Sequence, residues 1–143
     1  MTASSFLRRV LCALLVVALG AVAAHATTND VAFTAQADAS EQRYVELLPP
    51  NFSADKAHDI LLAFHGHGSD RWQFIRDPRG ECKGVREVAA KHGAIVVSPD
   101  YRAKTSWMGP AAEADLVQII QEMRARRKIK RTFVAGGSMG GTS

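Results

Sequence analysis

The apolar residues of this chain fall into runs of different period, and each period predicts a different element. Ile60, Leu61, Leu62, Ala63 and Phe64 form one short continuous run, and Ala94, Ile95, Val96 and Val97 form another. Such runs suit strands buried on both faces of a parallel sheet. Val85, Val88, Ala89 and His92 recur instead at i, i+3, i+4 and i+7, which predicts a short helix ended by Gly93. Leu116, Ile119, Ile120 and Met123 share one face of a second helix, with Glu113 and Asp115 in its early turns and basic residues in its last. Residues 44–48 read as a strand stopped by Pro49 and Pro50, and residues 131–135 as another strand running into glycines. Residues 51–58 and 98–110 have the composition of connections, the second a long loop at a sheet edge. Alternation of strand and helix calls for right-handed crossovers and an α/β fold. The sheet is mostly parallel, helices flank it, and ligands sit at the carboxyl ends of the strands.

The first 26 residues follow another rule. Arg8 and Arg9 precede an almost unbroken apolar stretch over residues 10–24, and Ala24, His25 and Ala26 fit the small-x-small cleavage pattern. The stretch is shorter than the roughly 20 residues that span a bilayer. A secretory signal peptide over 1–26 is therefore expected, with a secreted or periplasmic product and no stable membrane anchor after cleavage. Residues 27–42, rich in Ala, Thr, Asp and Asn, read as a flexible mature N-terminus, with order beginning near Arg43 and a single folded region over 43–143.

Cleavage removes Arg8 and Arg9 and no acid, so the formal charge falls from +4 to +2. That balance specifies no partner. Residues 124–131 hold six Lys or Arg in eight positions, but at a helix C-terminus such cations complement the dipole and face solvent, so no nucleic-acid partner is expected. Cys82 is the only cysteine after the signal peptide, so this segment can form no internal disulfide.

The strongest chemical signal is Gly136-Gly137-Ser138-Met139-Gly140-Gly141 directly after a predicted strand. Glycines at 136 and 140 allow a tight strand-to-helix elbow that exposes the Ser138 hydroxyl, where a base can remove its proton. Ser138 is the candidate nucleophile. A phosphate loop is excluded because no lysine precedes Thr142. The second signal is His65-Gly66-His67-Gly68 after the strand at 60–64, a loop placed to supply a backbone oxyanion donor. The amides of Met139 and His67 are the expected pair. A metal site on His65 and His67 is disfavoured: Ser69 stands where a ligating aspartate would be needed, and Arg71 brings positive charge. No metal or other cofactor is expected. His58 reads as a surface residue and His92 as a helix-end residue. Trp72, Phe74, Trp107 and Met108 lie in loops near the same sheet edge, and serve either a substrate pocket or loop packing. Asp100 precedes the serine and is not the expected triad acid.

Residues 61–68, 98–102, 113–120 and 133–141 together resemble the α/β-hydrolase superfamily. The Gly-Gly-Ser-Met-Gly-Gly elbow with a His-Gly loop is similar to its secreted esterase, polyhydroxybutyrate-depolymerase-like and prolyl-oligopeptidase-like branches. The resemblance implies acyl transfer on a small-molecule or polymeric ester through a Ser138 acyl-enzyme. It also implies that the triad acid and histidine follow the serine, so that residues 1–143 are an N-terminal portion with an incomplete sheet, inactive alone. The alternatives are a secreted serine peptidase of the prolyl-oligopeptidase-like type and a non-catalytic binding module that keeps the fold.

Overall fold

The two continuous apolar runs lie side by side in the middle of a five-stranded sheet. A computed structural model describes residues 25–102 and 107–143, so nearly all of the expected signal peptide falls outside the described residues. The elements in chain order are β1 (Thr27–Thr34), β2 (Glu41–Leu48), β3 (His58–Phe64), α1 (Gln73–Arg76) and α2 (Gly80–His92). They continue with β4 (Ile95–Pro99), α3 (Pro110–Arg126), β5 (Ile129–Gly136) and α4 (Met139–Thr142). The strand order is β1-β2-β4-β3-β5. β1 and β2 are antiparallel to their neighbours, whereas β4, β3 and β5 run parallel.

Period-two alternation along the central strands divides the core between two faces. Ile60, Leu62 and Phe64 of β3, with Ile95 and Val97 of β4, pack against Leu116, Ile119 and Met123 of α3. Ala63 and Val96 point the other way, toward Phe74 of α1 and Cys82 and Ala89 of α2. Met139 of α4 joins the α3 side. β3 thus sends its connection to one face of the sheet, while its neighbours β4 and β5 send theirs to the other. This divergence is a topological switch point, and the crevice it opens lies at the carboxyl ends of β3 and β5.

Residues 27–34 are a correction. They form β1, paired over its whole length with β2 in the register Thr27↔Leu48 to Thr34↔Glu41, rather than a loose terminus. Val31 and Phe33 pack against the α3-side core, and Phe33 meets the Tyr44 ring at 5.9 Å. Asp30, Ala32 and Thr34 are exposed, so the alternation is that of a half-buried edge strand with few apolar positions.

Two further readings change. His58 is buried rather than superficial: its ring stacks on Phe52, and Nδ1 and Nε2 lie 2.8 and 2.9 Å from the Gly93 and Ser53 carbonyls. The basic segment at the end of α3 is also more than a solvated tail. Arg127 Nη2 donates to Glu46 Oε2 at 2.9 Å, and Arg126 donates to the Tyr44 hydroxyl at 2.6 Å. Glu46 is buried on β2, so these guanidinium groups neutralise a carboxylate that could not otherwise leave water.

Candidate active site

Gly136 closes β5, and two residues later the chain turns into α4 through Ser138, whose φ and ψ are 54° and −118°. A non-glycine residue in this region stores about 1–3 kcal/mol of strain, held only because the surroundings over-determine it. Those surroundings are glycines. A Cβ on Gly140 would lie 2.6 Å from the His65 carbonyl oxygen and closer still to that of Phe64. One on Gly136 would overlap the Gly140 carbonyl and come within 2.9 Å of the Gly141 nitrogen. The elbow is thus folded on itself and pressed onto the end of β3, which requires a bare backbone at both positions. The Ser138 residue remains exposed, while Met139 is buried beneath it.

The loop after β3 lies against this elbow. A Cβ built on Gly66 stands 3.8 Å from Ser138 Cβ and 3.4 Å from the Gly137 carbonyl oxygen. The loop is tied down at several atoms. The Gly66 amide donates to Gln73 Oε1 at 2.6 Å, and its carbonyl accepts from the Ser69 amide at 3.2 Å. His65 is buried beneath, with Nδ1 2.9 Å from the Gly66 carbonyl and Nε2 3.3 Å from that of Asp100. The Tyr101 hydroxyl donates to the His65 carbonyl at 2.6 Å, and the two rings are 4.5 Å apart. Farther along, Asp100 accepts both the Arg71 amide and Arg71 Nη1 at 2.9 Å. Arg71 also grips Asp30 of β1 through Nε and Nη2. The hydrogen bond from Arg71 is the main reason the Asp30 carboxyl is held below the usual carboxylate range, and the same contact raises the Arg71 pKa.

The elements therefore bring together Ser138, Met139, Gly136, Gly140, Gly66 and the His65 backbone. His67 and Gly68 are exposed on the same loop. No hydrogen bond among the described residues takes up their amides. Met139 opens α4, and the first amides of a helix have no partner within it. His65 and His67 do not act as a ligand pair, because both ring nitrogens of His65 face carbonyl oxygens. Among the described residues no three His, Cys, Asp or Glu side chains cluster around a common point.

The loop aromatics mostly pack. Phe74 belongs to the α2-side core and Met108 to the α3-side core. Trp72 lies under the Arg76 guanidinium at 3.5 Å, and Trp107 remains exposed. Asp100 anchors Arg71. Gln73 and the Arg71–Asp100–Asp30 clasp carry no sequence signal: their partners are contributed by separate elements, and nothing local marks them. A tyrosine two residues after β4 and a glutamine seven after the loop glycine acquire meaning only when β3 and β4 lie adjacent.

Several solved structures share this architecture. The serine hydrolase FphF of Staphylococcus aureus, a fluorophosphonate-binding protein, is 19% identical at a TM-score of 0.62, covering 81% of this chain and 49% of its own. A ferulic acid esterase of the anaerobic fungus Anaeromyces mucronatus is 20% identical at 0.60, covering 80% and 50%. The S-formylglutathione hydrolase of Staphylococcus aureus is 20% identical at 0.62, covering 82% and 49%. This chain thus spans about half the length of these structural relatives. Among curated proteins none matches it. A family model described as alpha/beta hydrolase fold matches residues 61–142, from the middle of β3 through the elbow to α4. With the switch-point crevice and the glycine-locked Ser138 turn both inside the matched segment, this chain belongs to the α/β-hydrolase fold family.

Proposed function

We propose that the protein is a serine hydrolase of the carboxylesterase type, with Ser138 as nucleophile and residues 43–143 as the N-terminal portion of the catalytic domain. The observation that carries this reading is the strained, exposed Ser138 held against a loop whose His67 amide has no partner among the described residues. The Ser138 oxygen attacks the ester carbonyl while a histidine base takes its proton. The Met139 and His67 amides stabilise the oxyanion, an effect worth about 3–4 kcal/mol per donor. Collapse of the tetrahedral intermediate expels the alcohol, protonated by the same histidine, and leaves an acyl-enzyme that water hydrolyses. The histidine and its acid partner lie beyond Ser143 in this reading, and half-length coverage of the relatives supports it. A ferulate-type ester is one substrate to try, since one of the structural relatives is a ferulic acid esterase.

We also propose export across a membrane, supported by the charged, apolar and small-residue blocks of residues 1–26. No helix of the described residues is long and apolar enough to cross a membrane. The test of catalysis is hydrolysis of p-nitrophenyl acetate by the complete encoded protein. Ser138→Ala is expected to abolish turnover above the residual level from binding and the oxyanion hole, and an unchanged rate sinks the reading.

A further inference from the structure

Gly66 is pinned on both sides, and one of the pins is a side chain. Its carbonyl takes the Ser69 amide, as a tight turn would demand. Its N–H, in a buried residue, has only the Gln73 carboxamide. A backbone N–H must meet an acceptor, so the orientation of that carboxamide is determined: Oε1 faces Gly66, and Nε2 faces away. Gln73 opens α1 and is positioned by the Asp70 carbonyl, which accepts the Gln73 amide at 3.1 Å. The Asp70 carboxylate accepts the following Trp72 amide at 2.8 Å. The side chain thus reaches back over seven residues to the one glycine whose Cβ position stands 3.8 Å from both Gln73 Oε1 and Ser138 Cβ.

We infer that Gln73 is the positioning residue of the oxyanion loop: its carboxamide fixes the His65–Gly66 peptide, and with it the Gly66 Cα from which the Gly66–His67 peptide departs, so that the His67 amide is kept turned toward Ser138. The inference rests on the serine-hydrolase reading for its catalytic consequence, but the lock itself does not. Without the acceptor, the buried Gly66 N–H gains a partner only by turning the His65–Gly66 peptide, and that turn changes φ at Gly66, which moves the Gly66–His67 peptide and its amide with it. Misplacement of such a donor by about 1 Å costs rate far more than binding, because the ground-state carbonyl makes little use of it.

The test uses the complete encoded protein, with Gln73→Met, Gln73→Ala and Gln73→Glu. In the unmodified protein, NMR hydrogen exchange should find the Gly66 amide protected and the His67 amide exchanging quickly. Gln73→Met and Gln73→Ala should lose the Gly66 protection, and kcat for p-nitrophenyl acetate should fall on the order of 10- to 100-fold with KM changed less than about threefold. Gln73→Glu keeps an acceptor of the same reach and should keep the protection. A rapidly exchanging Gly66 amide in the unmodified protein overturns the inference without any variant. So does a kcat within about twofold of normal in Gln73→Met, or a loss shared equally by KM. Ser138→Ala, run in parallel, separates the two claims. If it is inactive while Gln73→Met is fully active, the positioning role fails and the serine reading stands. If Ser138→Ala turns over normally, the serine reading fails, and the catalytic role of Gln73 fails with it.

Discussion

Gly140→Ala should damage both stability and turnover, whereas Gly84→Ala, the same substitution on α2, should stabilise. The added Cβ at 140 would stand 2.6 Å from the His65 carbonyl oxygen and nearer to that of Phe64. A comfortable C···O approach is about 3.3 Å or more, so the backbone of α4 must retreat from β3 by roughly 0.7 Å or more. Neither obstructing atom is a side chain, so no rotamer change relieves the overlap. Overpacking of this kind costs about 1–3 kcal/mol. The retreat also drags the neighbouring Ser138 and Met139, and displacement approaching 1 Å at a reacting group costs on the order of 100-fold in rate. At Gly84 nothing lies within 4 Å of the new Cβ, and helix propensity favours alanine by about 0.8–1 kcal/mol. Calorimetry of the complete protein should thus find the two Tm values displaced in opposite directions, by about 2–4 °C per kcal/mol if the domain is of 150–250 residues and more of its length shares the load. A Gly140→Ala protein with unchanged Tm and a kcat within about twofold of normal would refute the argument that β3 and the elbow are in backbone contact.

Three further outcomes follow from particular contacts. Arg71→Met should lower Tm at neutral pH, and the gap between variant and normal protein should narrow in acid. The folded-state pKa of Asp30 is depressed by Arg71, so its contribution is present above the unfolded carboxylate value of about 4 and is lost as pH falls through the lower folded value. A gap that widens below pH 4 contradicts this. Glu46→Ala strands Arg127 and removes the partner of a buried ion pair, and urea titration should find a loss of about 3 kcal/mol with KM untouched; a loss below about 0.5 kcal/mol would show the pair to be solvated. Burial pushes the Cys82 thiol up and encloses it under α2, so a disulfide reagent should label it slowly in the folded protein and rapidly in denaturant. Fast labelling of the folded state would place the α2 face open to solvent.

Residues 60–64 and 94–97 were legible as central strands because strands covered on both faces have no polar side to disguise them. The elbow and the His-Gly loop were equally legible, since glycine at fixed offsets from a serine records a backbone constraint within a few residues. β1 was not, because an edge strand needs only Val31 and Phe33 inside, and two apolar residues among polar ones carry little period. His58 was misjudged for a related reason. Lys56 and Asp59 flank it in a stretch without apolar period, and its burial comes from Phe52 and from carbonyls of two different loops.

The sequence by itself determined the α/β alternation, the buried face of α3, and the glycine-framed turn that carries Ser138, all of which are local matters of period and steric allowance. On α2 the expected face was only partly right, since Val88 and His92 are exposed and Cys82 is buried with Ala89. Only the tertiary structure decided how the Ser138 turn and the loop against it are supported: Gln73 on the Gly66 amide, Tyr101 on the His65 carbonyl, and Arg71 bridging Asp30 and Asp100. These are hydrogen bonds and ion pairs between polar side chains and groups that folding alone makes neighbours. Their energies depend on angstrom-scale distances, and no periodicity along the chain encodes which distant donor will find which acceptor.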